Sequence, residues 1–424
     1  MPLNPTAGRS LDDWLSYQEQ LHPVGIDLGL ERVARVADRL KLRVSPPLTI
    51  TVGGTNGKGS TTTLLALIYR RAGCRVGAYT SPHLHRYHER IAIDGEPVDD
   101  AALCRAFEAI EAARQGDSLT YFEFGTLAAL WLFREAGVQV QVLEVGLGGR
   151  LDAVNILDAD AVVITNIGLD HRDWLGQDRD AIGREKAGIA RAGRPAIVVD
   201  PQPPAGLLQA LEAMRAETRR LDRGDFAAAI TPRGWTWRGR GAALPELPLP
   251  GLAGQHQLRN AAGALAVVEA LQSRQTVSIA AIRQALPALY LPGRLQRRGR
   301  VLLDVAHNTE AAQVLAAWLT TEFPGRRLQW LVGMLADKPA EEIGAALKPC
   351  VDRAWTCDLP GPRGQTAEQL AARLRAGGMP ATACGEPAQA LSAALAAEPD
   401  HSLPVLACGS FLTITAVEAL LSKP

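Results

Sequence analysis

Apolar positions change their period several times along the chain. Leu11–Leu21 and Leu30–Leu40 carry helical spacing, the first behind Ser10 as a candidate N-cap. Pro46-Pro47 ends that region. Short apolar runs then take over at 48–52, 75–79, 138–145, 161–165 and 196–199. Such runs predict strands buried on both faces, as a parallel sheet covered by helices requires. Helical patterns at 60–71, 100–114, 124–136 and 207–215 fall between or after them. Residues 216–255 break the alternation: a β-like piece at Gly234–Gly239 and the run LPELPLPGL predict an antiparallel flap or small subsidiary sheet. Helices return at 257–271 and 278–286.

LPGR (291–294) and the basic stretch to Arg300 read as a connector. The alternation then restarts, with strands at 301–305, 328–333, 353–357, 381–384 and 405–408 and helices near 309–320, 340–348, 366–376, 387–396 and 413–421. The expected fold class is α/β: a P-loop-type, mostly parallel sheet domain over 1–292, then a smaller Rossmann-like α/β domain over 293–424.

Composition narrows the class without choosing the chemistry. The 45 basic and 45 acidic side chains cancel among 424 residues, which excludes a broadly basic nucleic-acid binder. No apolar run approaches the length a membrane helix needs, and MPLNPTAGRSLDDW lacks the features of a signal peptide. The six cysteines form no C-x-x-C pair and read as buried thiols of a reducing compartment. A cytoplasmic location is expected.

The strongest chemical signal is GGTNGKGSTTT (53–63), which follows a strand and opens a helix. Glycines let the backbone turn several N–H groups toward phosphate oxygens, and the helix N-terminus adds partial positive charge. Lys58 can reach the β- and γ-phosphates, and a hydroxyl at Ser60 or Thr61 can approach Mg²⁺. The spacing differs from the common P-loop, with Val52 in place of its first glycine and Gly59 between Lys58 and Ser60. Other strands end in Ser81, Glu144 and His171, an oxygen, a carboxylate and an imidazole at one sheet edge. That mixture suits Mg²⁺ or Mn²⁺ when phosphates complete the shell. His83, His85 and His88 lack a completing cluster for zinc and read as surface or substrate-side residues.

Gly54-Thr55-Asn56-Gly57-Lys58-Gly59-Ser60 resembles the variant loop of the Mur-ligase superfamily. Within it the chain looks like the folylpolyglutamate synthase branch, through SPHLHRYHERIAIDG (81–95), LEVGLGGRLDAVN (143–155), GLDHRDWLG (168–176), GREKAGI (183–189), LPGR (291–294), DVAHN (304–308) and CGSF (408–411). IDLGLER (26–32) and LTYFEFGT (119–126) further resemble the bacterial bifunctional form. The resemblance implies ATP contacts at Thr55, Asn56, Gly57, Lys58, Gly59, Ser60, Asn260, Arg294 and Asp304, with His307 beside the nucleotide. It implies Mg²⁺ ligands at Ser81, Glu144 and His171, and a carbamylated Lys186 in a motif that reads as a helix start. It points to a pterin site at Asp27, Leu28, Gly29, Thr120, Tyr121, Phe122, Glu123, Leu151, Asp152 and Ala153. Phe122 and Phe124 can each stack on a planar heterocycle, but Phe124, Leu127 and Trp131 fall at helical spacing, so one of the pair is expected in the core.

The implied activity is an ATP-dependent amide ligase. It adds L-glutamate to dihydropteroate and to reduced folates through an acyl phosphate, with Lys58, Lys186 and His171 as catalytic residues. A monomer with small-molecule partners, no nucleic acid and no membrane is expected. A ligase acting on a nucleotide-linked peptidoglycan precursor shares the loop, but would carry a further N-terminal domain where 47 residues precede Leu48 here. A non-ligase P-loop ATPase or regulator would need the loop but not DVAHN, LPGR or GREKAGI.

Overall fold

The computed structural model describes residues 8–398 and 402–422. They group into two compact units, one running to Gly251 and adding Gln255–Leu289, the other holding Leu252–Gly254 and the chain from Tyr290 onward.

The first unit is built on an eight-stranded sheet. In chain order its strands are β1 (Leu48–Gly53), β2 (Val76–Tyr79), β3 (Ile91–Ile93), β4 (Glu96–Pro97), β5 (Val140–Glu144), β6 (Ala161–Ile164), β7 (Pro195–Val198) and β8 (Glu217–Arg220). Their spatial order is β4-β3-β2-β5-β1-β6-β7-β8. The β2-β3 and β3-β4 pairs are antiparallel, and the remaining pairs are parallel. The central strands are buried from the second residue of β1 onward and are largely apolar, and the inward polar side chains of Thr49 and Gln141 are paired, Gln141 Nε2 donating to Thr49 Oγ1 at 2.8 Å. β5 and β6 flank β1, in register at Val52 with Glu144 and Val163. The C-terminal ends of β2, β5, β1 and β6 therefore lie side by side, and the loops that follow them share one edge.

A second, three-stranded antiparallel sheet has the order β11 (Ala243–Leu247), β10 (Gly234–Arg238), β9 (Ala227–Thr231). This is the subsidiary sheet expected near 216–255. Its two buried tryptophans fix it. Trp235 Nε1 donates to the Pro248 carbonyl at 2.9 Å, and Trp237 Nε1 donates to the Ala262 carbonyl at 3.1 Å, on helix Gln255–Ala270.

The second unit holds a six-stranded sheet of order β12 (Gln296–Arg298), β13 (Val301–Leu303), β17 (Val405–Ala407), β14 (Leu328–Val332), β15 (Val351–Thr356), β16 (Ala381–Ala383). Only β12 runs antiparallel. Helices Thr309–Glu322, Ala340–Leu347, Ala367–Ala376, Pro387–Ala396 and Phe411–Leu421 alternate with the strands, as expected of a Rossmann-like domain.

Four strands depart from the sequence reading: β3, β4, β8 and β12. β8, with the sequence ETRR, and β12, inside the predicted connector, are polar edge strands without an apolar run. The helix after the phosphate loop begins at Lys58, two residues before the predicted start. GREKAGI holds a helix end rather than a helix start: Lys186 is the penultimate residue of Arg179–Ala187, which Asp178 caps from upstream.

Candidate active site

β1 runs into a turn that only glycine tolerates at two points. Gly54 has φ +140°, and a Cβ there would lie 1.8 Å from Thr165 Oγ1. Gly57 has φ +84°, and its Cβ would meet the Asn260 side-chain amide at 2.8 Å. The loop is held by its neighbour after β6. Thr55 N–H donates to the Asn166 carbonyl at 2.8 Å and Asn56 N–H to Asn166 Oδ1 at 2.7 Å. Thr165 Oγ1 donates to the Asn56 carbonyl at 2.6 Å. Asn260, from helix Gln255–Ala270, thus packs against this loop.

Two lysines converge on this loop. Lys58 Nζ donates to the carbonyls of Gly54 and Thr55 at 3.1 and 3.0 Å. Lys186 Nζ, buried, donates to the same Gly54 carbonyl at 3.0 Å and to Gly148 at 3.5 Å. Burial lowers the Lys186 pKa to about 7, and the Lys58 charge adds to that, against opposing pulls from Asp170 and Asp152. Two lysine amines thus meet over one loop carbonyl, one of them held close to its neutral form by burial. Ser60 Oγ, two residues after Lys58, is buried with no hydrogen-bond partner among the described residues, which leaves a hydroxyl to be satisfied by a ligand.

Glu144 ends β5 and is buried; its Oε2 accepts from the Ser81 N–H at 3.2 Å, after β2. His171 follows β6 on the other side of β1, in a left-handed conformation with φ +53°. Its N–H donates to Asp170 Oδ1 at 3.0 Å. Among the described residues no three His, Cys, Asp or Glu side chains gather as a metal-binding group. Ser81, Glu144 and His171 contain only two such groups. They fit a divalent cation that takes its remaining oxygens from phosphates, and the orphaned Ser60 hydroxyl agrees with that chemistry.

The predicted pterin residues come from three segments. Leu28, Gly29 and Leu151 line one pocket of about 590 Å³ together with Leu30, Glu31, Arg32 and Arg35. Thr120 and Glu123 form a capping box at the start of helix Tyr121–Glu135. Asp152 is buried and accepts the N–H groups of Leu147 and Val154 at 2.8 and 3.1 Å; burial raises its pKa to about 6. Phe124 is fully buried against Phe107 and Trp14, so it is the core member of the aromatic pair. Phe122 is half-buried, with its ring against Gly146 and 5.7 Å from the Tyr79 ring. Arg32, absent from the predicted set, joins Asp27 to Glu123.

The histidine group is corrected in part. His85 is exposed, but His88 is buried and pairs with Asp100. His83 is half-buried; Nδ1 accepts from Arg90 Nε at 2.8 Å, and burial, helped by the Arg90 charge, lowers its pKa to about 4.

In the second unit Asp304 follows β13 and accepts the N–H groups of Leu295 and Ala306 at 3.0 and 2.9 Å. Burial raises its pKa, while the Arg294 charge pulls the other way. The Arg294 guanidinium lies 5.7 Å from the Phe411 ring centre, and the His307 ring lies 6.0 Å from the same ring. Phe411, in CGSF, is the platform of this group, and its role was not read from the sequence.

A glycine loop with two lysines at a parallel-sheet edge, followed by a Rossmann-like unit, defines an ATP-dependent ligase of the Mur type. Models of the Mur ligase middle domain and of the Mur ligase glutamate ligase domain match residues 52–202 and 293–411. The chain is 46% identical over 417 residues to the dihydrofolate synthase/folylpolyglutamate synthase of Escherichia coli K12, covering 97% of this chain and 96% of that one. The structure of E. coli FolC in complex with DHPP and ADP superposes with a TM-score of 0.91 at 44% identity, over 98% of this chain and 99% of that one. The Yersinia pestis bifunctional enzyme complexed with AMPPNP and Mn ion gives 0.90 at 44% identity, over 99% and 100%. The chain belongs to the dihydrofolate synthase/folylpolyglutamate synthase family.

Proposed function

We propose that this chain joins the amine of L-glutamate to the carboxylate of dihydropteroate, and to that of reduced folates, with ATP cleaved to ADP and phosphate. The observation that carries the reading is the pairing of Lys58 and Lys186 on the Gly54 carbonyl, in a chain of this family. The acceptor carboxylate attacks the γ-phosphorus, ADP leaves, and an acyl phosphate forms. The amine then attacks the acyl carbon, and phosphate leaves the tetrahedral intermediate. Such chemistry needs positioning and charge neutralisation rather than a side-chain nucleophile.

Lys58 neutralises the transferred phosphate, while the loop N–H groups and Ser60 hold it. Ser81, Glu144 and His171 would hold a divalent cation, whose charge neutralises the phosphates when bound. Lys186 is read as a carbamate: its neutral amine adds CO₂ and releases a proton, giving a carboxylate suited to a second cation. The lowered pKa supports this, because only a neutral amine reacts. Asn260, Arg294, Asp304 and His307 contact the nucleotide in this reading. The Leu28–Gly29–Leu151 pocket takes the pterin. The same reading places the chain in the cytoplasm as a monomer.

The test is phosphate release with ATP and glutamate, comparing dihydropteroate with tetrahydrofolate as acceptor. Stoichiometric AMP, or release independent of both acceptors, would reject the reading.

A further inference from the structure

Arg32 belongs to none of the residue sets assigned above. Its side chain is 18% exposed and its Nε lies 2.9 Å from each carboxylate oxygen of Glu123. Nη1 pairs with the Asp27 carboxylate, and Nη2 donates to the Asp27 carbonyl. Arg32 also lines the pocket that contains Leu28, Gly29 and Leu151.

We propose that Arg32 is the positioning residue of the acceptor pocket, fixing the Asp27–Gly29 segment against the helix start at Glu123. The proposal rests on the reading of that pocket as the dihydropteroate site. Helix Leu11–Leu21 ends and Glu31–Arg39 begins on either side of the segment, which has no regular structure of its own. Its shape therefore depends on side-chain ties. One is His22 Nε2 to Asp27 Oδ2 at 3.3 Å; the others run through Arg32.

Glu123 is not available as a simple acceptor for a ligand. Its Oε2 already accepts the Thr120 N–H and hydroxyl at 2.8 and 2.9 Å, in addition to Arg32. Those capping bonds hold the helix start without Arg32. Without Arg32 the Asp27 side chain keeps the His22 contact at 3.3 Å, a weaker tie than the capping box. Losing Arg32 should thus loosen one wall of the pocket while leaving the helix in place. Lysine should not substitute fully, because its point charge lacks the planar fork that spans two carboxylates and a carbonyl.

The experiment compares Arg32→Ala and Arg32→Lys with the unaltered enzyme. The readouts are KM for dihydropteroate, KM for ATP, Tm, and calorimetric dihydropteroate binding without turnover. The expected result is a rise of about tenfold or more in dihydropteroate KM and Kd for Arg32→Ala, the factor for one lost charge-assisted hydrogen bond. Arg32→Lys should fall between, with ATP KM unchanged in both. Unchanged dihydropteroate affinity would overturn the proposal, as would ATP and dihydropteroate KM rising together with a collapsed Tm in both variants. If the unaltered enzyme uses tetrahydrofolate but neither binds nor turns over dihydropteroate, the pocket reading itself fails and the proposal with it.

Discussion

The phosphate loop and the acceptor pocket lie in one unit but are held in different ways. The loop is a backbone object, set by two glycines with positive φ, by a hydrogen bond from Thr165 and by loop N–H groups donating to Asn166. The pocket is a side-chain object, in which one arginine ties together carboxylates 91 residues apart from its own position and five apart. Backbone curvature is written in adjacent residues, and an ion-pair hub is written in the tertiary fold. The loop should therefore fail sharply when a single group is lost, and the pocket should weaken by degrees.

Lys58→Ala tests the sharp end of that contrast. Removing a donor that stabilises transition-state charge typically costs about 3–4 kcal/mol, or ~10²–10³ in rate. Lys58 Nζ donates to two loop carbonyls, those of Gly54 and Thr55, and circular dichroism of the variant should be unchanged. Near-normal kcat in a folded variant would remove the loop from the mechanism.

Lys186→Ala should also lose activity, and small carboxylic acids should restore part of it by standing in for the carbamate. The titration offers an independent measurement in CO₂-free buffer. With a pKa of about 7 in the folded chain and 10.5 as the ordinary value, the unfolded chain binds the extra proton between those limits. Stability should rise with pH across that window, because the unfolded state there binds more protons. Tm of Lys186→Met should lack this rise. An equal slope in both proteins would mean that the amine is not titrating as a buried base.

Arg294→Ala moves the contrast to the second unit, where the group is again built from side chains. Arg294 over Phe411 is a cation–π pair of the kind worth about 0.5–2 kcal/mol, so ATP KM should rise by roughly two- to thirtyfold. Asp304→Asn should act less on the nucleotide and more on the turn, because an amide oxygen replaces only one of the two acceptors used by Leu295 and Ala306. ATP titration of both variants gives the order.

What could be read from the sequence follows the same division. β1, the glycine loop and the helix after it were legible because strand, turn and helix start are contiguous. Glu144 and Ser81 were legible as strand ends, and the sheet order then made them neighbours. Arg32 was not, although it closes the quoted segment IDLGLER, because no spacing encodes its pairing with Glu123. β8 and β12 were hidden because edge strands rich in arginine show no apolar period. The end of the Lys186 helix was misread as its start because the cap that settles the matter, Asp178, lies outside the motif.

Phe122 and Phe124 give the smallest effects and the closest separation of pocket from core. They are two residues apart on the same helix, so they point to different sides of it. Phe124 packs its ring 5.6 Å from Phe107 and 6.3 Å from Trp14, with no exposed surface. Phe124→Leu should cost about 1 kcal/mol of stability, as a shape change in a packed core does, and leave dihydropteroate KM near its original value. Phe122 rests on the Gly146 backbone, where an added Cβ would come within 2.5 Å of the ring. That contact places it beside the segment leading to Asp152, whose carboxylate accepts the Leu147 N–H. Phe122→Leu should therefore raise dihydropteroate KM by roughly two- to tenfold, the worth of one aromatic contact, with a smaller change in Tm. The pair is informative because the two effects should dissociate. If Phe124→Leu shifted KM and Phe122→Leu shifted only Tm, the assignment of the two rings would be reversed, and the acceptor pocket would have to lie on the other face of the helix.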